Sequence, residues 1–349
     1  MTKYCFPGIL QSTMQAIVYE GKHKMTLRHL PTPEVGPDDV LLKVRAVGIC
    51  GTDLHIYNGG TAVKPGTVIG HEFSGEIVRV GKNVATHHVG QRAVGEHVIT
   101  CGDCLYCRTG RPTLCKRSTV IGLTRPGALA EYLVLPAPLV YPIADSLNFA
   151  DAALIEPLSI AVYAAREAGF LLEKRVGVIG QGPIGLFLDQ VLQAAGARVI
   201  GFDTLDHRLQ FAQKQGWIDH AINPKVDDVT RAVEAITHHG FELSFEAVGN
   251  AAAMQLALDV TRKAGKVFLL GVYEGTAALD VMQIVKKELT VSGSWTCAFA
   301  FPTAIKLVER GKVDVASLIT HRYALADAPQ AFADAATYSE KRIKTVIEL

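Results

Sequence analysis

Between residues 15 and 135 apolar and polar positions alternate in short runs broken by glycine and proline. Residues 15–19, 40–47, 75–80 and 131–135 read as strands, because side chains two apart share one face of a sheet. From about residue 151 the period changes. A strand at 175–180 is followed by a helix at 183–195, a strand at 198–203 and a helix at 206–215. A short strand at 221–222, a helix near 226–238, a strand at 243–247 and a helix at 251–262 continue the series, and strands at 266–271 and 289–293 end it. Apolar strands alternating with amphipathic helices predict an α/β fold with a doubly wound parallel sheet, here of six strands. Residues after about 295 are expected to return to the first region, ending in a strand at 344–348. The division is therefore 1–158 for a β-rich domain, with a loop lobe at about 95–118, then 159–295 for the parallel sheet, and 296–349 for the return. A substrate cleft between the two domains follows.

Composition narrows the function. The chain has 349 residues, 49% apolar and 20% charged, enough for two separate cores. A net charge of +1 without blocks of like charge points to a small-molecule partner, not to nucleic acid or a membrane surface. No apolar run reaches the ~18–20 residues that span a bilayer. Residues 1–13 lack the long apolar core of a signal peptide and read as an extension, so a cytoplasmic location is expected. There are seven cysteines, four of them crowded at 101–115 and the rest at Cys5, Cys50 and Cys297. An odd count in a reducing compartment favours metal binding over disulfides.

Gly180, Gly182 and Gly185, with Pro183 and Ile184 between them, follow a predicted strand and open a predicted helix. The glycines permit a tight turn, close approach of a pyrophosphate, and close helix–strand packing. The helix N-terminus then presents free N–H groups to phosphate. Asp203 ends the next strand near the expected spacing of about 20 residues. Its carboxylate suits ribose hydroxyls and repels a 2′-phosphate, so NAD is expected over NADP. Arg208 is either a cofactor contact or a solvated helix residue.

Cys101, Cys104, Cys107 and Cys115 offer four thiolates on one loop. A closed tetrahedral shell of sulfur leaves no position for substrate, so the site is expected to hold a structural zinc. An iron–sulfur cluster is the alternative. A second constellation holds Cys50, His71 and Glu72, with Glu156 in an otherwise apolar stretch where an unpaired carboxylate is costly. A catalytic zinc needs about three protein ligands and an open position. Cys50 and His71 are the first choices. Glu72, Glu156 or both complete the shell, and Glu156 could instead act through water or support a ligand.

The segment 48–53, Gly70-His71-Glu72, the four-cysteine lobe, Glu156-Pro157 and the 180–185 loop occur in the order seen in zinc-containing medium-chain dehydrogenases. From about residue 15 onward the chain resembles that family, and within it the polyol (sorbitol) and threonine dehydrogenase branch. Glu156 stands where classical alcohol dehydrogenases have a third zinc cysteine, and segments 50–58 and 125–133 look especially like threonine dehydrogenase. The resemblance implies a GroES-like catalytic domain beside a Rossmann domain, two zinc ions per subunit, NAD, and a homotetramer or homodimer. It also implies a proton path from the Thr52 hydroxyl through a cofactor ribose hydroxyl to His55. Tyr57 and Arg125 are candidate substrate contacts, and Arg125 would suit a carboxylate or phosphate. The expected substrate is a polyol, sugar derivative, sugar acid or β-hydroxy amino acid such as L-threonine. Edge strand 289–293 is expected to pair with its copy in a second subunit. A zinc-free quinone or enone reductase and a non-catalytic zinc- and nucleotide-binding redox sensor are the rival readings.

Overall fold

The computed structural model describes residues 12–61, 63–337 and 342–349. The expected extension, Cys5 included, lies outside them apart from its last two residues. Near the N-terminus Thr13–Gly21 and Lys24–Pro31 form an antiparallel hairpin, and Thr67–Val68 pairs with the first of them. Beside it lies a seven-stranded sheet centred on Asp39–Gly48. That strand pairs antiparallel with Glu72–Val80, Tyr132–Pro136 and the C-terminal Lys344–Glu348. Its residues are almost continuously buried because both faces are covered, so alternation is weakest where the sheet is most central.

The second sheet has six strands, all parallel, in the order His220–Ile222, Arg198–Phe202, Arg175–Ile179, Phe241–Glu246, Thr261–Leu269, Thr290–Gly293. The chain runs outward from Arg175–Ile179 in one direction, then resumes on its other side. That reversal opens a crevice at the carboxyl ends of the central strands. The first helix of the series, Pro183–Ala194, packs against Ile155–Ala168, which also meets Phe301–Glu309. Residue 158 lies inside Ile155–Ala168, so one buried cluster runs from Ala46 and Val94 of the first sheet to Val176 and Phe245 of the second.

Two local features differ from the sequence reading. The helix expected at 251–262 stops at Val260, because Thr261 is already extended. The Thr261 hydroxyl donates to Ala257 O and contacts Ser244 Oγ, tying the turn to the neighbouring strand. A short helix, Val281–Lys287, also precedes the last strand. It buries none of its residues although Val281, Met282, Ile284 and Val285 give it an apolar face; seven residues are too few for that face to stand out, and its clearer signal is Asp280, whose side chain accepts from Gln283 N. No helix among the described residues is long and apolar enough to cross a membrane.

Candidate active site

Strand register builds the first metal centre. Gly48 pairs with Glu72, so the residues just past the end of one strand, Ile49 and Cys50, meet those just before the other, Gly70 and His71. A Cβ at Gly48 would sit 2.1 Å from Glu72 Oε2, so only glycine leaves room for that carboxylate. Cys50 caps helix Gly51–Tyr57, and its N–H donates to Asp53 Oδ2 at 2.9 Å. One ligand atom each of Cys50, His71 and Glu72 lies within 4.8 Å of the others. Glu156 is not part of this group; its Oε1 lies 3.0 Å from His97 Nδ1. The His97 ring sits 5.1 Å from that of His71. Asp53 Oδ1 is 3.6 Å from His71 Nδ1.

The electrostatics favour a cation here. Burial disfavours the imidazolium of His71, yet Asp53 and Cys50 outweigh it and push its pKa well above the ordinary histidine value. Burial raises the pKa of Glu72, while Lys344 opposes that rise. Burial also pushes Glu156 up, but His97, His71 and Lys344 together hold it below the usual carboxylate range. Lys344 comes from the C-terminal strand, with Nζ 2.6 Å from both Glu72 oxygens. It donates to Oε1 and makes an ion pair with Oε2. A thiol, an imidazole and a carboxylate converging in a pocket that attracts positive charge fit a three-ligand zinc site.

The second cluster is Cys101, Cys104, Cys107 and Cys115, whose sulfurs also lie within 4.8 Å of one another. Neighbouring sulfurs are 3.4, 3.6 and 3.9 Å apart for the pairs 101–115, 104–107 and 101–107. Four sulfurs about 2.3 Å from one zinc would be about 3.8 Å apart, so the spacing fits a closed tetrahedral shell. Backbone N–H groups of Cys101 and Arg117 point at Cys115 Sγ. The N–H of Cys107 lowers the Cys104 thiol to about 6, favouring the thiolate a metal requires.

The glycine loop sits between two cavities. One, of about 580 Å³, is lined by Gly180, Gly182, Asp203, Thr204, Arg208 and Asn250 among others. The other, of about 450 Å³, runs from Cys50 and Glu72 past Pro157 to Gly182, Pro183 and Ile184. Both share Gly182, Arg208 and Ala247, so a molecule extended across the loop reaches from Asp203 to the Cys50 group. A Cβ at Gly185 would lie 1.8 Å from Gly180 O, which fixes that position as glycine. Asp203 Oδ1 accepts from Leu205 N and Oδ2 from Gln181 N. Arg208 Nη1 stands 3.8 Å from Asp203 Oδ2.

Thr52 and His55 share helix Gly51–Tyr57 with the ligand segment. His55 Nδ1 meets Glu274 Oε1 of the second region at 2.5 Å. Tyr57 is buried, its ring between those of His23 and Phe332. Arg125 lines a separate cavity of about 830 Å³ with Lys64, Glu34 and Tyr132, and is not among the residues lining the Cys50 cleft. Sequence reasoning missed Asp53, His97, Glu274 and Lys344. For Lys344 there was a signal: a lysine opening an otherwise buried terminal strand needs a buried partner. The other three depend on contacts between distant segments.

Two family models match the chain: "Alcohol dehydrogenase GroES-like domain" over residues 36–145 and "Zinc-binding dehydrogenase" over residues 183–310. L-threonine 3-dehydrogenase of Rhizobium johnstonii is 36% identical over 326 residues, covering 90% of this chain and 94% of that protein. Sorbitol dehydrogenase of Bacillus subtilis is 34% identical over 343 residues, covering 96% and 97%. A Sinorhizobium meliloti 1021 protein described as a zinc-binding dehydrogenase, bound to NADP, shares the fold at TM-score 0.90 and 31% identity, covering 97% of this chain and 100% of that one. With matches of this extent over a β-rich region and a six-stranded parallel sheet, the chain belongs to the zinc-containing medium-chain dehydrogenase superfamily, in its polyol and threonine dehydrogenase-like branch.

Proposed function

We propose that the chain is a zinc-dependent dehydrogenase that moves a hydride between NAD(H) and the secondary alcohol of a polyol or sugar derivative. The observation that carries this reading is the cleft shared by the Cys50–His71–Glu72 group and the glycine loop. Cys50, His71 and Glu72 hold the catalytic zinc, and Cys101, Cys104, Cys107 and Cys115 hold a structural one. Bound in the cleft, zinc supplies Lewis-acid polarisation of an alcohol or carbonyl oxygen, and nicotinamide supplies the hydride acceptor.

The protein's own groups do the rest. Asp53, close to His71 Nδ1, would orient that ring as a ligand for the zinc it would help to hold. Lys344 offsets the charge of Glu72, and Glu156 with His97 forms the polar wall beside them. Gly180, Gly182 and Gly185 let the backbone approach the pyrophosphate, with Pro183 and Ile184 opening the helix and Arg208 beside it. Asp203 supports NAD, as its carboxylate would repel a 2′-phosphate; the relative bound to NADP makes the choice worth measuring. Thr52 and His55 provide the proton exit, and Glu274 holds His55 in place.

Arg125 lines a different cavity, so the cation named for a carboxylate or phosphate gives no reason to prefer a charged substrate over a polyol. L-threonine is the second reading, favoured by the similarity to L-threonine 3-dehydrogenase. The test is NADH formation across a panel of polyols, sugar acids, sugar phosphates and L-threonine. Turnover of one polyol with loss in Cys50→Ala supports the proposal. Turnover of L-threonine alone would replace it with the second reading, and full activity of a zinc-free protein would end it.

A further inference from the structure

The glycine loop is held from beneath as well as opened above. Gln181, between its first two glycines, is fully buried, at 0% exposure. Its carboxamide lies against strand Arg198–Phe202, where a Cβ at Gly201 would come within 3.1 Å of both Cδ and Nε2. Asp189, on helix Pro183–Ala194 that leaves the loop, is also at 0% exposure. Burial pushes the Asp189 carboxyl strongly up, the Gln181 side chain opposes that rise, and no charged group acts on it. Gln181 Nε2 reaches Val178 O at 3.5 Å. Three buried oxygens, Gln181 Oε1 and both of Asp189, are then left without a donor.

One proton resolves this shortage. A neutral Asp189 carboxylic acid can accept the Gln181 amide on one oxygen and give its own O–H to Gln181 Oε1 from the other, the pairing of an acid with an amide. Burial drives the acid strongly toward that neutral form. On its other side, the backbone N–H of Gln181 donates to Asp203 Oδ2 at 2.7 Å, and Gly180 N donates to Phe202 O at 2.7 Å. The residue is thus fixed from two directions. Neither Gln181 nor Asp189 lines the two cavities that flank the loop.

We propose that Asp189 and Gln181 form a buried, uncharged clamp that holds the 180–185 loop in its dinucleotide-binding shape. Asp189 is then a positioning residue for a cofactor it does not touch. The inference rests on the reading that this loop holds the dinucleotide.

The test measures dissociation constants for NADH and NADPH by fluorescence titration of wild type, Asp189→Asn, Asp189→Leu and Gln181→Ala, with melting temperatures alongside. The asparagine amide supplies a permanent donor of similar shape, so Asp189→Asn should bind within about twofold of wild type, whereas Asp189→Leu and Gln181→Ala lose about tenfold with the buried hydrogen bond. The loss should fall on KM for the dinucleotide more than on kcat. If Asp189→Leu fails to fold, the contrast between Gln181→Ala and Asp189→Asn decides. Equal binding by Gln181→Ala and wild type would overturn the inference, as would an asparagine variant weakened as much as the leucine one. A wild-type chain that binds neither dinucleotide would remove the loop's role and the inference with it.

Discussion

Lys344 and Glu72 form a buried ion pair beside two groups read as zinc ligands, and this gives the pair a metal-dependent value. Removing one member of a buried pair leaves an uncompensated charge, at about 3–5 kcal/mol. Lys344→Met should therefore destabilise the zinc-free protein by about that amount, and the zinc-loaded protein by much less, since the metal takes over the compensation. Melting curves with and without chelator check this: the gap between them should be wider in the variant. Asp189 carries a second prediction. Its pKa is raised by burial, so the folded chain keeps a proton that the unfolded chain releases above about pH 4. The stability it contributes at low pH is lost as pH rises from there toward the folded-state value. Asp189→Asn ionises in neither state, so its melting temperature relative to wild type should be higher at pH 8 than at pH 5. An equal difference at both values would contradict a proton held in the fold. Residues with chemistry in their own type and spacing, such as Cys50, His71 and the four lobe cysteines, were legible in sequence. Lys344 signalled only that it needed a buried partner, and His97 and Glu274 signalled nothing, because each gains its meaning from a residue far away in the chain.

Among elements, the register of Asp39–Gly48 against Glu72–Val80 matters most, since it delivers Cys50 and His71 to one point. Both strands were readable from apolar runs, but no local pattern encodes their register, which follows from the sheet as a whole. The cysteine lobe is the opposite case. Its ligand spacing is fully local, and among its residues between 101 and 117 only Thr113 and Cys115 are buried. With so little core, the lobe is expected to depend on a bound metal for its fold. Cys115→Ser should lower zinc by one ion per chain and expose the lobe to protease, while the glycine loop still binds dinucleotide. Limited proteolysis followed by mass analysis would locate the first cut within 101–117; a first cut elsewhere would deny the zinc its stapling role. Helix Val281–Lys287 shows where periodicity is hard to read, because its apolar positions span under two turns and none of them is buried.

For the whole molecule, the division into a β-rich sheet and a six-stranded parallel sheet followed from the change of period near residue 151. Return of the chain is seen in the pairing of Lys344–Glu348 with Asp39–Gly48, which also carries Lys344 into the site. Thr290–Gly293 is an edge strand, paired on one side with Thr261–Leu269, and Val281, Met282, Val285 and Trp295 nearby are exposed. An open edge beside exposed apolar side chains is expected to pair with a second copy, giving a dimer or tetramer by sedimentation. The proposed activity would need both sheets, since one presents the Cys50–His71–Glu72 group and the other the glycine loop. The most direct test is elemental analysis of zinc per chain in wild type, Cys50→Ala and His71→Ala, each confirmed folded. Two ions in wild type and one in either variant would agree with a shared metal at residues 50 and 71; two ions retained in both variants, or one in all three proteins, would contradict it.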